Sequence, residues 1–361
     1  MSVTAPPLWG ATLGRNTPTS GGTMTENEER PTRPRVTLTD ISSRAWEHPA
    51  DRGALVALRQ LKGFDFVLRK MSGLINERAF RLQYLGSAIR VDERQFPTIH
   101  RLYTEAGTTL DVRELPELYV TNSPIWNAVT IGMDRPFIVL NSALVQGLDE
   151  EETRFILGHE LGHAQSGHAL YQSLLLWLMR LTGAINWMPI GALGIRAIIA
   201  ALHEWSRKAE LSGDRAGLLA VQDPAVALRV QMKLASGGQL AELDTTAFLA
   251  QGTEYEGAGD LRDSVLKLLL LEAQSHPLAV IRAHELRRWV DEGEYTAIVS
   301  GTYPKRQEDK DASMSQEARN AAKSYSDAFA RSQDPLAKLL RDLGEGLGGV
   351  RDWVSSKFPP R

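Results

Sequence analysis

The 361-residue chain contains no cysteine. That excludes disulfides, iron–sulfur clusters and thiolate metal sites, so a bound metal would have to be held by histidine, aspartate or glutamate. Strong charge of one sign is also missing. A formal net charge of −3 argues against a polyanion binder and predicts no nucleic-acid partner. No segment is an uninterrupted membrane-spanning run: the uncharged stretch between Arg180 and Arg196 is only fifteen residues, against the about 20 a bilayer requires. Residues 1–35 lack the apolar core of an export signal. They are rich in Pro, Gly, Thr and Ser and carry Glu26, Glu28 and Glu29, which predicts a disordered tail over 1–40 and a cytoplasmic protein. Finally, neither Asp nor Glu occurs between Ala164 and His203.

What is present suggests an α+β chain that is predominantly helical. Apolar residues make up 43%, enough for a sizeable core. From Ala54 to Tyr103 they recur at helical spacing, as at Leu55, Leu58 and Leu61 and at Leu74, Phe80 and Leu82. The period then shortens. Leu118 to Val120, Ala128 to Ile131 and Phe137 to Leu140 are β-prone runs separated by Asn122-Ser123-Pro124 and by Met133 to Pro136, which predicts a small antiparallel sheet. One domain over 41–300 is expected, followed by a polar linker and an amphipathic C-terminal helix over 301–361. Leu336, Leu339, Leu340, Leu343, Leu347, Val350 and Val354 supply the stripe of that last helix.

The chemistry lies in the segment beginning at Asp149. This residue, followed by Glu150, Glu151 and Glu152, supplies an N-cap, a capping-box acid and negative charge at the positive end of a helix dipole. A helix starting near residue 150 places His159 and His163 one turn apart on one face, with Glu160 beside them. Two imidazoles so placed can share one zinc ion, and the glutamate can take a proton from a water the metal activates. The competing reading is a surface helix whose histidines face solvent. His168, about 140° round an extended helix from His163, reads as structural and not as a ligand. His203 reads as a helix-packing residue.

A third ligand decides between these readings. The acid-free stretch removes an acidic ligand about twenty residues downstream, and Ser166 and Ala169 stand where the metzincin pattern needs Gly and His. The first usable acids are Glu204, Glu210 and Asp214, on a helix predicted from His203 to Val221 and ended by Asp223 and Pro224.

Taken in order, Asn127-Ala128, Phe137 to Leu140, Leu144, the acidic helix start, His159 to His163, Gly167-His168, Glu210 with Asp214, Arg215 and Gly217, and His276-Pro277 with Arg282 resemble the M48 metallopeptidases. That family includes the membrane-bound heat-shock protease HtpX, prenyl-protein proteases and soluble relatives. The resemblance runs from about residue 95 to 290 and implies a zincin-like fold. It further implies Glu210 as third zinc ligand, Glu160 as the base, His276 as an oxyanion-stabilising residue beside the site, and Arg282 as a supporting charge. Asp214 then has two readings: acceptor for the spare N–H of a zinc-bound histidine, or ion-pair partner of Arg215 or Arg207. Gly213 and Gly217 fit a close approach of this helix to the one carrying the histidines. Gly213 departs from the alanine usual in the family, and tighter packing is expected there.

Substrate binding is expected by strand addition to an edge formed by Asn127, Ala128, Val129 and the residues up to Ile131. An interior strand is the alternative. Residues 170–202, apolar with only two charges, are expected to form a lid or a membrane-contacting hairpin, with peripheral membrane contact there or through the C-terminal helix. The function so read is a zinc endopeptidase acting on unfolded or membrane-associated proteins. A catalytically inactive adaptor of the same fold is the competing expectation.

Overall fold

Residues 34–60, 64–74, 77–180, 191–257 and 278–310 are described by the computed structural model. The tail up to residue 33, the C-terminal helix, positions 181–190 of the apolar segment, and His276 with Pro277 lie outside the described residues.

Four strands form one sheet: β1 (Ile89–Arg90), β2 (Glu117–Thr121), β3 (Ala128–Ile131) and β4 (Phe137–Asn141), in the order β1-β2-β4-β3. The sheet is mixed where an antiparallel one was expected. β3 and β4 are antiparallel, with Val129 opposite Val139, and β1 runs antiparallel to β2. β2 and β4, however, are parallel, with Tyr119 opposite Val139. The reason lies in β4, where Phe137, Ile138, Val139 and Leu140 are all buried. A strand apolar on both faces belongs in the sheet interior. The β3–β4 turn therefore leaves β3 outermost and brings β4 back against β2.

The sheet thereby separates two apolar clusters. Ile138 and Leu140 join Leu118 and Val120 on one face, under α4 (Pro97–Thr109) and α6 (Glu150–Gln165). Phe137 and Val139 join Tyr119 and Ile131 on the other, against α1 (Pro49–Gln60), α2 (Phe64–Leu74), α7 (His168–Arg180) and the first half of α8 (Gly191–Val221). The described part of the apolar segment is thus largely core. Leu174 and Leu178 of α7 and Ile198, Ala201, Leu202 and Trp205 of α8 are buried in this second cluster. No helix among the described residues is long and apolar enough to cross a membrane.

Helix α6 starts at Glu150, where the capping pattern places it. Asp149 Oδ1 accepts from the Glu152 N–H at 2.9 Å, and Glu152 Oε2 accepts from the Asp149 N–H at 2.9 Å. Every residue from Glu152 to His163 is buried. A helix enclosed all round needs a neighbour that can come close, and α8 supplies it. A Cβ on Gly213 would lie 2.6 Å from His159 Cε1, and one on Gly217 would lie 2.8 Å from the Phe155 carbonyl oxygen. Each of those glycines costs about 1 kcal/mol of helix propensity against alanine, which the close packing of the two helices offsets.

Helices α3 (Glu77–Ser87) and α5 (Ser142–Gly147) flank the sheet, while α9 (Pro224–Ser236), α10 (Thr245–Gly257), α11 (Ala279–Asp291) and α12 (Glu294–Val299) cover the far side of α8. Residues 301–310 return to the start of the body, where Ile41 bridges Lys305 and Ser42 Oγ donates to Asp309 Oδ1 at 2.8 Å.

Candidate metal centre

One turn of α6 sets His159 and His163 on the same face, and their Nε2 atoms stand 3.0 Å apart. Across the α6–α8 contact, Glu210 Oε2 lies 3.5 Å from His159 Nε2 and Glu210 Oε1 lies 3.5 Å from His163 Nε2. These three side chains form the group of potential metal ligands found among the described residues. Three ligands about 2.0–2.2 Å from one tetrahedral ion would be separated by roughly 3.3–3.6 Å, so these edges need only a small adjustment. The donor set fits as well. Two imidazoles and a carboxylate leave a fourth position open, as a catalytic zinc site requires. The solvent-facing reading of the histidines is excluded by their burial, with His159 4% and His163 1% exposed.

The second nitrogen of each ring is occupied. His159 Nδ1 lies 3.1 Å from Asp214 Oδ1, and His163 Nδ1 lies 2.8 Å from His168 Nδ1. Each ring therefore turns Nε2 toward the shared position. Asp214 is held in turn by Arg282, whose Nε donates to Oδ2 at 2.7 Å and Nη2 to Oδ1 at 2.5 Å, and by Gln231 Nε2 at 3.0 Å. Arg282 Nη1 also reaches Glu210 Oε2 at 3.1 Å. Of the two readings of Asp214, the histidine contact is the one present. Its neighbour Arg215 instead lies over the Trp289 ring, 4.9 Å from the centroid.

Glu160 points the other way, toward the sheet. Its Oε2 accepts from Thr130 Oγ1 on β3 at 2.6 Å. Among the described residues β3 is an edge strand, paired with β4 alone. The Asn127 carbonyl accepts from the Asn141 N–H at 3.0 Å, so the antiparallel alternation turns the Val129 groups toward β4 and leaves those of Ala128 and Thr130 facing outward.

The model of peptidase family M48 matches residues 93–290, more than half of the chain. The chain belongs to peptidase family M48. It is 34% identical over 274 residues to the plastoglobule-localized metallopeptidase 48 of Arabidopsis thaliana chloroplasts, covering 74% of this chain and 78% of that protein. It is 39% identical over 67 residues to a protease HtpX homolog of Helicobacter pylori, covering 18% of this chain and 22% of that protein. With the human mitochondrial metalloendopeptidase OMA1 it shares 32% identity over 116 residues, 28% of this chain and 22% of that one. The last two matches span under a quarter of the relatives' own length. No solved structure gives a match. As an M48 member the chain is a metal-dependent endopeptidase acting on protein or peptide substrates.

The electrostatics of this M48 centre follow from burial. Enclosure pushes the Glu160 carboxyl up to about 7, against the opposing pull of His159 and of the Thr130 hydrogen bond. Burial acts on Glu210 in the same sense, yet the Arg282 guanidinium and the two histidines hold it well below the ordinary carboxylate range. Asp214 is likewise lowered, burial being outweighed by Arg282. Burial opposes charge on both imidazoles. It leaves His163 low, while Asp214 and Glu210 raise His159. A metal held by both Nε2 atoms would take the place of any proton there.

The structure brings together six of the residues singled out by sequence: His159, Glu160, His163, Glu210, Asp214 and Arg282. Asn127, Ala128 and Val129 lie at the start of β3, which Thr130 joins to Glu160. His276 lies outside the described residues. Three residues had no signal of their own in the sequence: Thr130, Gln231 and, through His168 at 3.0 Å, Asp51; His168 was noted there, but not as the partner of a ligand. His168 escapes the helical projection because α6 ends at Gln165 and Gly167, at φ 70°, turns the chain back. The ring thus returns to His163 from a second helix.

Proposed function

We propose that this M48 member is a zinc endopeptidase that cleaves unfolded or membrane-associated proteins. The observation that carries the reading is the convergence of His159 Nε2, His163 Nε2 and the Glu210 carboxylate on one point. Bound there, zinc would act as a Lewis acid, lowering the pKa of a coordinated water and polarising the scissile carbonyl.

This chain's residues do the rest. Glu160, raised by its enclosure to about 7, accepts the proton of the attacking water and returns it to the departing amine. Asp214 and Arg282 keep His159 and Glu210 oriented and their charge compensated. The outward backbone groups of Ala128 and Thr130 pair with an extended peptide, which places the scissile bond beside Glu160 and carries little side-chain preference. Asn127 Oδ1, just before this strand, is shielded from solvent and has no hydrogen-bond partner, which leaves it a further acceptor there. An unfolded segment suits such a strand edge better than a folded loop, because its own backbone groups are free to pair. His276 is assigned to the oxyanion by the family resemblance.

A peripheral position at a membrane or lipid surface is part of the proposal. It is supported by the plastoglobule localisation in the name of the Arabidopsis relative. The complete ligand set, with Glu160 in place, speaks against an inactive adaptor. The test is zinc content and casein hydrolysis of the purified chain beside its His159→Ala variant. Both should be present in the first and absent in the second. A zinc-loaded wild type inert toward unfolded protein would refute the substrate assignment.

A further inference from the structure

Behind His163 a buried chain of hydrogen bonds leads out of the family-matched segment. His163 Nδ1 stands 2.8 Å from His168 Nδ1, and His168 Nε2 stands 3.0 Å from Asp51 Oδ2 on α1. Asp51 is itself fixed by α8: Ser212 Oγ donates to Oδ2 at 2.6 Å and Trp205 Nε1 to Oδ1 at 3.0 Å. His168 is 3% exposed and Asp51 2% exposed, so water does not compete for these bonds. Asp51 precedes the matched span, which begins at residue 93.

The proton inventory gives this chain a direction. An ionised carboxylate only accepts, so His168 Nε2 must donate to Asp51. A His163 that offers its Nε2 lone pair to a metal carries its hydrogen on Nδ1, so the bond to His168 Nδ1 then runs from His163, and His168 accepts it as the neutral ring protonated at Nε2. His163 Nε2 is the atom that faces Glu210 and His159. At the other histidine the same result is reached in one step, by direct contact of His159 Nδ1 with Asp214. The two rings of the centre are thus oriented by two carboxylates, one adjacent and one acting through an intervening imidazole.

From this we infer that His168 and Asp51 are positioning residues for the metal centre, a relay through which helix α1 sets the tautomer and angle of His163. The inference rests on the metal reading of His159, His163 and Glu210. It makes the N-terminal helix a working part of the peptidase site, although that helix supplies no ligand.

Zinc affinity of the full chain, read by competition with a chromogenic chelator, tests the relay, with thermal unfolding of the metal-free protein measured alongside. His168→Phe keeps the bulk and removes both nitrogens; it should weaken zinc binding by about 10- to 100-fold. His168→Gln, whose amide oxygen can accept from His163 Nδ1, should recover most of that loss. Asp51→Asn, which replaces one acceptor oxygen by a donor, should fall between them. A packing role alone predicts a lower unfolding temperature for His168→Phe with wild-type zinc affinity, and no recovery with Gln; that result overturns the relay. If His168→Phe does not fold, Asp51→Asn decides by the same measure, with wild-type affinity counting against the relay. A wild-type chain that takes up no zinc overturns the metal reading and the relay together. Tight wild-type binding that none of these substitutions alters overturns the relay alone.

Discussion

Thr130 Oγ1 and Glu160 Oε2 lie 2.6 Å apart, joining the edge strand of the sheet to the carboxylate beside the metal ligands. This bond favours the ionised form of Glu160, while burial favours the neutral form more strongly and leaves the group at about 7. Thr130→Val removes the bond, so the carboxyl should hold its proton to higher pH. The acid limb of the kcat/KM profile should therefore move upward in pH. A limb that stays in place or moves down would separate Glu160 from the activity-controlling ionisation.

Glu160→Gln should retain zinc and lose about 10²- to 10⁴-fold in kcat, because the shape of the site is kept and proton transfer is not. The same variant makes a second, independent prediction for the metal-free protein. A carboxyl raised from 4.5 to about 7 on folding binds more protons in the folded chain than in the unfolded one between those values. Stability therefore falls as pH rises through that window, and the loss is complete above it. Metal-free Glu160→Gln should be the more stable protein at pH ~8, by a few kcal/mol, and should match wild type below pH ~4.5. Denaturant midpoints at the two pH values provide the comparison.

Arg282 compensates two buried carboxylates, Asp214 and Glu210. Arg282→Ala should cost about 3–5 kcal/mol in the metal-free chain, since it leaves uncompensated charge in the interior. Zinc, as a cation among those carboxylates, should restore part of the loss. An unfolding midpoint unchanged from wild type in the metal-free state would contradict this assignment.

Ala128 turns its N–H away from β4, so proline at this position removes a donor for an incoming peptide without breaking the native ladder. Ala128→Pro should raise KM for unfolded protein by roughly tenfold, with zinc content unchanged, one lost hydrogen bond being worth about 1 kcal/mol or slightly more. Steady-state kinetics on a casein substrate distinguish this from a fall in kcat alone.

The short-range parts of the fold were legible in the sequence. The capping box at Asp149 fixes the start of α6, and the unbroken apolar run of β4 marks a buried strand. The tight seating of α8 on α6 was readable from Gly213 and Gly217, whose propensity cost needs a reason. Long-range pairing was not legible. Nothing local to β2 and β4 says that they lie side by side and parallel. Hydropathy did not separate a membrane-contacting segment from core, yet Ile198, Leu202 and Trp205 pack against the sheet and α1. His168 was projected along a helix that Gly167 ends, and Asp51 reaches the site from far upstream with no motif around it. Spacing set His159 and His163 on one face and the family resemblance added Glu210, Asp214 and Arg282, whereas nothing in the sequence pointed to Thr130, Gln231 or Asp51.

In the proposed site His159, His163 and Glu210 hold one zinc ion. Zinc-edge X-ray absorption of the purified chain, compared with its Glu210→Gln variant, tests it most directly. The expected result is one equivalent of zinc with two imidazole nitrogens and a carboxylate oxygen at about 2.0–2.2 Å, and loss of the ion in the variant. A zinc environment unchanged by Glu210→Gln, or lacking the two imidazoles, would contradict it.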